Sequence, residues 1–230
     1  MATPQPGTRP SDSFIQRFSQ RVHGSPKRRV DVELRALDIV LAAFCLLVAL
    51  PLLALIAAAL LLTSGLPLFY KGERVGRGGR IFAMRKFRTL CRGAEDRLGP
   101  YLGTELVERT RAETTRLGRR LRATQLDELP QLWNILRGDM SVIGPRPTLR
   151  YQVDQYDEHQ RHRLDIRPGL TGWAQVHGRA ELPWADRIEL DVWYVEHRSP
   201  RIDLQILLRT PLALFRGTYR GATGGWRPKT

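Results

Sequence analysis

Two carboxylates stand side by side in this sequence, Asp127 and Glu128, a third follows at Asp139, and a Pro-Arg-Pro comes soon after at Pro145, Arg146 and Pro147. An ionised carboxylate is a nucleophile toward phosphorus and a ligand for Mg2+. Arginine presents a planar fork that matches phosphate oxygens, and the flanking prolines leave Arg146 on a backbone with few accessible conformations. Acids that attack or hold a metal, followed by a rigid basic arm, suit chemistry on a phosphate. Thr124-Gln125-Leu126-Asp127 also fits a capping box, with Thr124 as N-cap and Asp127 at N3. The helix would run on through Leu129, Leu132, Trp133 and Leu136, spaced as one buried face. Capping and chemistry are compatible. The helix dipole favours an ionised carboxylate in the first turn, and backbone N–H groups there receive phosphate oxygens. Adjacent helix positions point roughly 100° apart. Asp127 and Glu128 therefore divide the work, one as nucleophile and the other as acid–base or metal-binding partner. Gly138 is the expected helix-ending glycine. Asp139 directly after it is either a further metal ligand or a turn-forming aspartate.

Other cations and aromatics offer weaker signals. In Lys86-Phe87-Arg88 two cations can share one side of an extended segment; the alternative is a solvated strand end. Residues 167–173 form a glycine-studded loop ending in Trp173. Glycine lets a backbone approach a ligand closely, and Trp173 either packs on a base or sugar or anchors the loop structurally. The five histidines form no metal-ligand pattern. Cys45 and Cys91 lie in unlike surroundings, so neither a disulfide nor a zinc site is expected.

Four stretches, LDELPQLWNIL, RGDMSVIGPRP, RPGLTGWAQV and KFRT, together resemble the bacterial sugar transferase family, over roughly residues 34–212. These are small monotopic phosphoglycosyl transferases that start glycan assembly on polyprenyl phosphate, as for exopolysaccharide, capsule, O-antigen or glycoprotein. The resemblance implies transfer of a phosphosugar from a UDP-sugar to undecaprenyl phosphate, with UMP released. It implies that Asp127 forms a covalent phosphosugar intermediate, with Glu128 as its partner. Mg2+ would be held by Asp127 with Glu128 or Asp139. Arg146 would grip the diphosphate, Lys86 and Arg88 beside the active site would also bind substrate phosphate, and Arg179 is a second phosphate candidate. Asp191 and Tyr194 match the family's Asp-x-x-Tyr and would shape the pocket, as would Pro145, Pro147 and Trp173. His177 stands where the family usually has Asn.

These groups need a platform at a membrane. Residues 39–62 carry no charge. As a helix they would extend ~36 Å, against a hydrocarbon core of about 30 Å. Pro51 removes a backbone donor near the middle and predicts a kink. Lys27, Arg28, Arg29 and Arg35 precede the run, and Lys71, Arg74, Arg77 and Arg80 follow it. The positive-inside rule favours both ends on the cytoplasmic face. The family resemblance implies the same re-entrant hairpin, although its Ser-Pro break is Leu50-Pro51 here, which keeps a straight single span as the alternative. Arg35 and Asp38 match the family's basic-x-x-Asp motif at the start of the hairpin and can pair across one turn.

The remaining pattern predicts strands over 65–70 and 80–87 around a glycine turn at 76–79. It predicts an irregular excursion from 91, a short basic helix over 116–122, a charged surface helix over 148–163 and a helix over 183–198. Residues 202–215 read as an amphipathic helix in the membrane interface or a core helix. The expected fold class is α+β, mostly helical: a basic tail (1–33), a re-entrant membrane helix (34–64), a compact cytoplasmic catalytic domain with a small β-hairpin (65–217), and a C-terminal tail (218–230). The resemblance implies the bacterial cytoplasmic membrane as the location, and a homodimer is compatible.

Lys+Arg number 37 against 23 Asp+Glu, a formal net charge of +14. Such a charge asks for anionic partners: nucleic acid, anionic lipid head groups or phosphorylated substrates. No helix-turn-helix, zinc or RNA-binding signature is present, so nucleic acid is not expected. A non-catalytic membrane scaffold would leave LDELP and GPRP without purpose.

Overall fold

The computed structural model describes residues 29–98, 103–178 and 182–216. Helix α1 is Arg29–Ser64, 36 residues of mainly leucine and alanine, and it runs unbroken through Pro51. It begins inside the stretch read as tail; residues 1–28 and 218–230 lie outside the described residues. Asp38, Ala42, Ile56 and Leu60 form a buried stripe at helical spacing, while Phe44, Leu47, Val48, Leu55 and Leu62 are exposed. So large an exposed apolar surface is foreign to a water-soluble helix. By length and composition α1 could cross a membrane.

The chain then folds into a two-stranded antiparallel sheet, β1 (Phe69–Val75) and β2 (Ile81–Phe87), joined by a 3-10 turn at Arg77–Gly79. The register runs from Phe69↔Phe87 to Val75↔Ile81. Gly78 takes a φ of 64° in the turn, a conformation that glycine adopts without strain. The first strand starts later than the pattern over 65–70 suggested, because the carbonyls of Ser64, Gly65 and Leu66 are taken by the Arg88 side chain instead of a ladder. The stretch read as irregular carries two helices, α2 (Ala94–Leu98) and α3 (Gly103–Ala112).

Helix α4 (Arg116–Thr124) is the basic helix expected, N-capped by Thr115, whose hydroxyl accepts from Gly118 N at 2.9 Å. Thr124 is not an N-cap. Its hydroxyl donates back to Arg120 O and Leu121 O, and Gln125 ends α4 in the left-handed conformation (φ 57°). Leu126–Glu128 is a separate 3-10 turn, and Pro130 precedes α5 (Gln131–Arg137). The capping box is thus replaced by a helix–turn–helix break that lifts Asp127 and Glu128 off both helices. Gly138 ends α5 with φ 87°, as the sequence indicated.

Strand β3 (Ser141–Ile143) pairs in parallel with β4 (Gly169–Thr171). The glycines of the 167–173 loop serve this pairing and not a ligand: a Cβ on Gly169 would lie 2.1 Å from Gly144 N. Between the strands, the expected long surface helix is a short α6 (Arg150–Val153) and a 3-10 segment, Gln160–Asp165. Asp157 interrupts it by accepting from Gln160 N at 2.8 Å, a local bond that competes with helix. Val153, Tyr156 and Leu164 are core, packed with Val75, Ile188 and Val192. Helices α7 (Trp173–Val176), α8 (Trp184–His197) and α9 (Pro200–Arg216) complete the fold. α9 buries Asp203 and Ile206 and exposes Leu204, Leu208 and Leu212, so it is a core helix on one face and apolar on the other.

Two core clusters fix the site. Ala42, Phe82, Met84, Leu132, Ile135 and Met140 join α1, β2 and α5; Ile56, Leu60, Phe87 and Leu121 join the later half of α1 to β2 and α4. Leu129, one residue beyond the acidic pair, packs on both. Each such buried side chain contributes roughly 1.5–3 kcal/mol. Ile135→Ala, at a fully buried position, would cost roughly 2–5 kcal/mol.

Candidate active site

Lys86 at the end of β2, the acidic pair on its 3-10 turn and Arg146 between its prolines meet in one place. Lys86 Nζ lies 2.6 Å from Glu128 Oε1, and Arg146 donates to the same oxygen at 2.9 Å. Burial would raise the Glu128 carboxyl, but Arg146 and Lys86 outweigh it and hold the group at about 2. Glu128 is therefore ionised throughout the physiological range. Asp127 is buried too, and its carboxyl is raised, first by that burial and then by the charge of Glu128, against the pull of Lys86 and Arg122. Burial lowers Lys86, with Arg146 adding to the effect. Arg122 is also anchored nearby, donating to Thr89 Oγ1 at 2.8 Å. The two neighbouring carboxylates thus differ sharply: Glu128 is fixed and charge-neutralised, whereas Asp127 is held in an environment that disfavours its charge. A desolvated carboxylate is the more reactive of such a pair.

Mg2+ commonly uses one or two carboxylates and completes its shell with water and substrate phosphate. Asp127, buried beside Glu128 and raised first by that burial and then by the charge of Glu128, fits such an ion. Asp139 does not join them. It accepts from Asn134 Nδ2 at 3.3 Å and lies 3.5 Å from Arg137 Nε, and among the described residues no three His, Cys, Asp or Glu side chains form a metal-binding group. The reason is that Gly138 reverses the chain at the far end of α5, one helix length from the turn.

Arg88 also departs from its expected place at the phosphates. It sits past the end of β2, 8% exposed, and its guanidinium donates to Ser64 O, Gly65 O and Leu66 O at 2.5–3.1 Å. It caps the end of α1. Arg35 does the same for α5, donating to Ile135 O and Leu136 O at 2.7 and 3.1 Å. Asp38, 3.9 Å from Arg35, accepts from Ser141 Oγ and Val142 N, both at 2.8 Å. Trp173 stacks on Trp193 with ring centres 4.9 Å apart, so it anchors its loop. His177 holds that loop to α9: Arg209 donates to Nε2 at 3.0 Å, which leaves Nδ1 to donate to Trp173 O at 2.8 Å. Burial lowers its pKa, consistent with a neutral ring. Asp191 pairs with the buried Arg163 at 2.5 Å, and Tyr194 donates to Asp203 Oδ1 at 2.7 Å. Arg179 lies outside the described residues.

The sequence model of the bacterial sugar transferases matches residues 29–217, the whole of α1 and all the side chains just placed. The chain belongs to the bacterial sugar transferase family. Among its relatives, a UDP-glucose:undecaprenyl-phosphate glucose-1-phosphate transferase of Caulobacter vibrioides is 42% identical over 202 residues, covering 83% of this chain and 72% of that protein. The sugar transferase EpsL of Bacillus subtilis is 40% identical over 176 residues, 76% of this chain and 84% of the relative. The undecaprenyl-phosphate galactose phosphotransferase of Salmonella typhimurium is 34% identical, but the match covers 80% of this chain and only 41% of that longer protein. This bacterial sugar transferase is accordingly an enzyme of the phosphoglycosyl transferase class.

Two residues that position the site of this transferase escaped the sequence reading. Asn134, 1% exposed on α5, accepts from Arg85 N at 3.0 Å and donates to Ala83 O at 2.8 Å, fixing β2 and hence Lys86 against the helix. An asparagine at an apolar helix position is a legible signal, since buried amides must find partners. Arg163 had no such mark. It sits in a run of charged residues that reads as solvated, and only the tertiary fold buries it.

Proposed function

We propose that this protein transfers a phosphosugar from a UDP-sugar to undecaprenyl phosphate, releasing UMP and forming the polyprenyl-diphosphate-linked sugar that starts a glycan. The observation that carries this reading is the meeting of Lys86, Arg146 and Glu128 beside the buried Asp127. An oxygen of the ionised Asp127 attacks the phosphorus next to the sugar; the bond from that phosphorus to the bridging oxygen breaks, and UMP leaves with the electron pair. A phosphate oxygen of undecaprenyl phosphate then attacks the same phosphorus and returns the carboxylate. Two displacements through one group give ping-pong kinetics. Glu128 keeps Lys86 and Arg146 beside Asp127, and their donors turn to the incoming diphosphate, stabilising the charge that spreads over its oxygens. Mg2+, when bound, would be held by Asp127 and Glu128 with substrate oxygens and would neutralise phosphate charge.

The membrane helix suits a lipid acceptor. Its start is tied to the catalytic domain through Arg35 and Asp38, and its end through Arg88. The predicted break at Pro51 is not seen in α1, which stays helical through it, but a helix whose two ends are both held by one domain supports the re-entrant reading over a single span, with that domain on the cytoplasmic face. Arginines near the membrane surface would meet anionic head groups. The reading is tested by UMP release from purified protein in detergent with Mg2+, undecaprenyl phosphate and a panel of UDP-sugars. Release with one or two sugars, lost on adding EDTA or omitting the lipid, is expected. Silence across the panel from folded protein would contradict it.

A further inference from the structure

The Pro-Arg-Pro turn is held by its carbonyls. Pro145 O accepts from Gly169 N at 2.8 Å and Thr148 O from Val75 N at 3.0 Å, both backbone donors. Between them, Arg146 O accepts from a charged side chain, Arg163 NH2, at 3.3 Å. Arg163 is 5% exposed on the Gln160–Asp165 segment. The same NH2 donates to Asp191 Oδ2 at 2.5 Å, and NH1 donates to the Tyr156 hydroxyl. Tyr156 in turn hydrogen-bonds the Thr148 side chain, two residues past Arg146. One guanidinium therefore links α8, the segment after α6 and the turn that carries the phosphate-facing arginine.

A buried ion pair is weak evidence for stability, since its desolvation cost rivals its attraction and apolar residues would fill the space as well. What the pair supplies is direction. Asp191 fixes the plane of the fork, and the fork holds the carbonyl of Arg146, whose side chain reaches Glu128. We propose that Arg163, oriented by Asp191, is a positioning residue for phosphate recognition: it sets the backbone of Arg146 so that the Arg146 guanidinium meets the donor diphosphate beside Glu128. This rests on the function proposed above. Lysine would keep the charge but lacks the planar fork needed to reach the carbonyl, Asp191 and Tyr156 together.

The test is a double-mutant cycle on the full chain in detergent, with Arg163→Lys, Arg146→Ala and the double variant. Donor KM and kcat are read from UMP release, UDP affinity from titration, and folding from thermal melts. Arg163→Lys should raise donor KM and weaken UDP binding about tenfold, with kcat less affected, because a small misplacement of a binding group is costly. In the Arg146→Ala background it should change neither, since the path runs through that side chain. Wild-type behaviour of Arg163→Lys, or losses that multiply in the double variant, would overturn the proposal. Should Arg163→Lys not fold, Asp191→Asn enters the same cycle; if neither folds, Arg163 serves the fold and the proposal falls. Wild-type protein that neither releases UMP nor binds UDP would overturn the functional reading as well, whereas UDP binding with independent losses overturns the positioning role alone.

Discussion

Lys86 on β2 and Glu128 on the 3-10 turn, 42 positions apart in the chain, are 2.6 Å apart in the fold. Glu128 pulls Lys86 and Arg146 to one oxygen and so gathers the cations that Asp127 needs if it is to receive a phosphate. Replacing Glu128 by Gln would leave the half-buried Lys86 without its nearest counter-charge. The expected result is activity down at least about 100-fold, as for loss of a preorganised electrostatic group. A stability loss of roughly 1–3 kcal/mol at pH 7 should accompany it, less than a fully buried pair would give, because the Arg146 side chain is half exposed. Kinetics and chemical denaturation check the two separately. The Glu128 carboxyl lies at about 2 in the folded state against an ordinary 4.5. Its stabilisation is therefore present above about pH 4.5 and is lost as pH falls toward 2; in Glu128→Gln that part of the acid dependence disappears.

Asp127 has the opposite sign. Its carboxyl is raised chiefly by burial, so the folded state is penalised once pH climbs through its folded pKa and the charge must form. Asp127→Asn removes that charge. It should abolish turnover and yet raise the melting temperature of the metal-free protein at neutral pH, read by thermal melts. In metal-free protein the Asp127 carboxyl should therefore titrate above the usual aspartate range, read by NMR, and bound Mg2+, a positive charge at the carboxylate, should bring it down. Titration at or below that range without metal would contradict the burial of its charge.

Arg88 separates two roles that the motif alone confuses. As a cap on Ser64, Gly65 and Leu66, it would leave three carbonyls short of donors when changed to Ala. Charge-assisted hydrogen bonds of this kind contribute roughly 1.5–3 kcal/mol each at most, and they share one group here. Arg88→Ala should lower folded yield and melting temperature while the folded fraction keeps a wild-type donor KM. A raised KM in stable protein would return Arg88 to the phosphate site.

The meeting of Lys86, Glu128 and Arg146 was legible because LDE, PRP and KFRT each put a charged group on a short rigid stretch. The long apolar run and the cap at Gly138 were equally plain. What the sequence concealed depends on distant partners. Thr124 matches an N-cap by type, but its hydroxyl turns back onto the preceding helix and Gln125 reverses the chain. Arg88 stands two residues after Lys86, yet lies past the strand end beside the carbonyls of Ser64, Gly65 and Leu66 at and just after the end of α1. Charged residues 148–163 look solvated because their burial comes from α8 and β1, far along the chain.

Asp139 bears on the metal. Held by Asn134 and Arg137, it should matter little to Mg2+. Asp139→Asn is expected to shift the Mg2+ concentration for half-maximal activity less than about threefold, whereas loss of a true ligand would shift it 10- to 100-fold or abolish activity, as loss of even an outer-shell partner can. EDTA should silence both proteins alike.

The most direct test of the central claim is the intact mass of the purified protein after incubation with Mg2+ and its UDP-sugar, with no lipid present. A nucleophilic Asp127 predicts a gain equal to one phosphosugar, one equivalent of UMP, and discharge of the adduct by undecaprenyl phosphate; Asp127→Asn should gain nothing. UMP release without any adduct, or an adduct that persists in Asp127→Asn, would contradict the account.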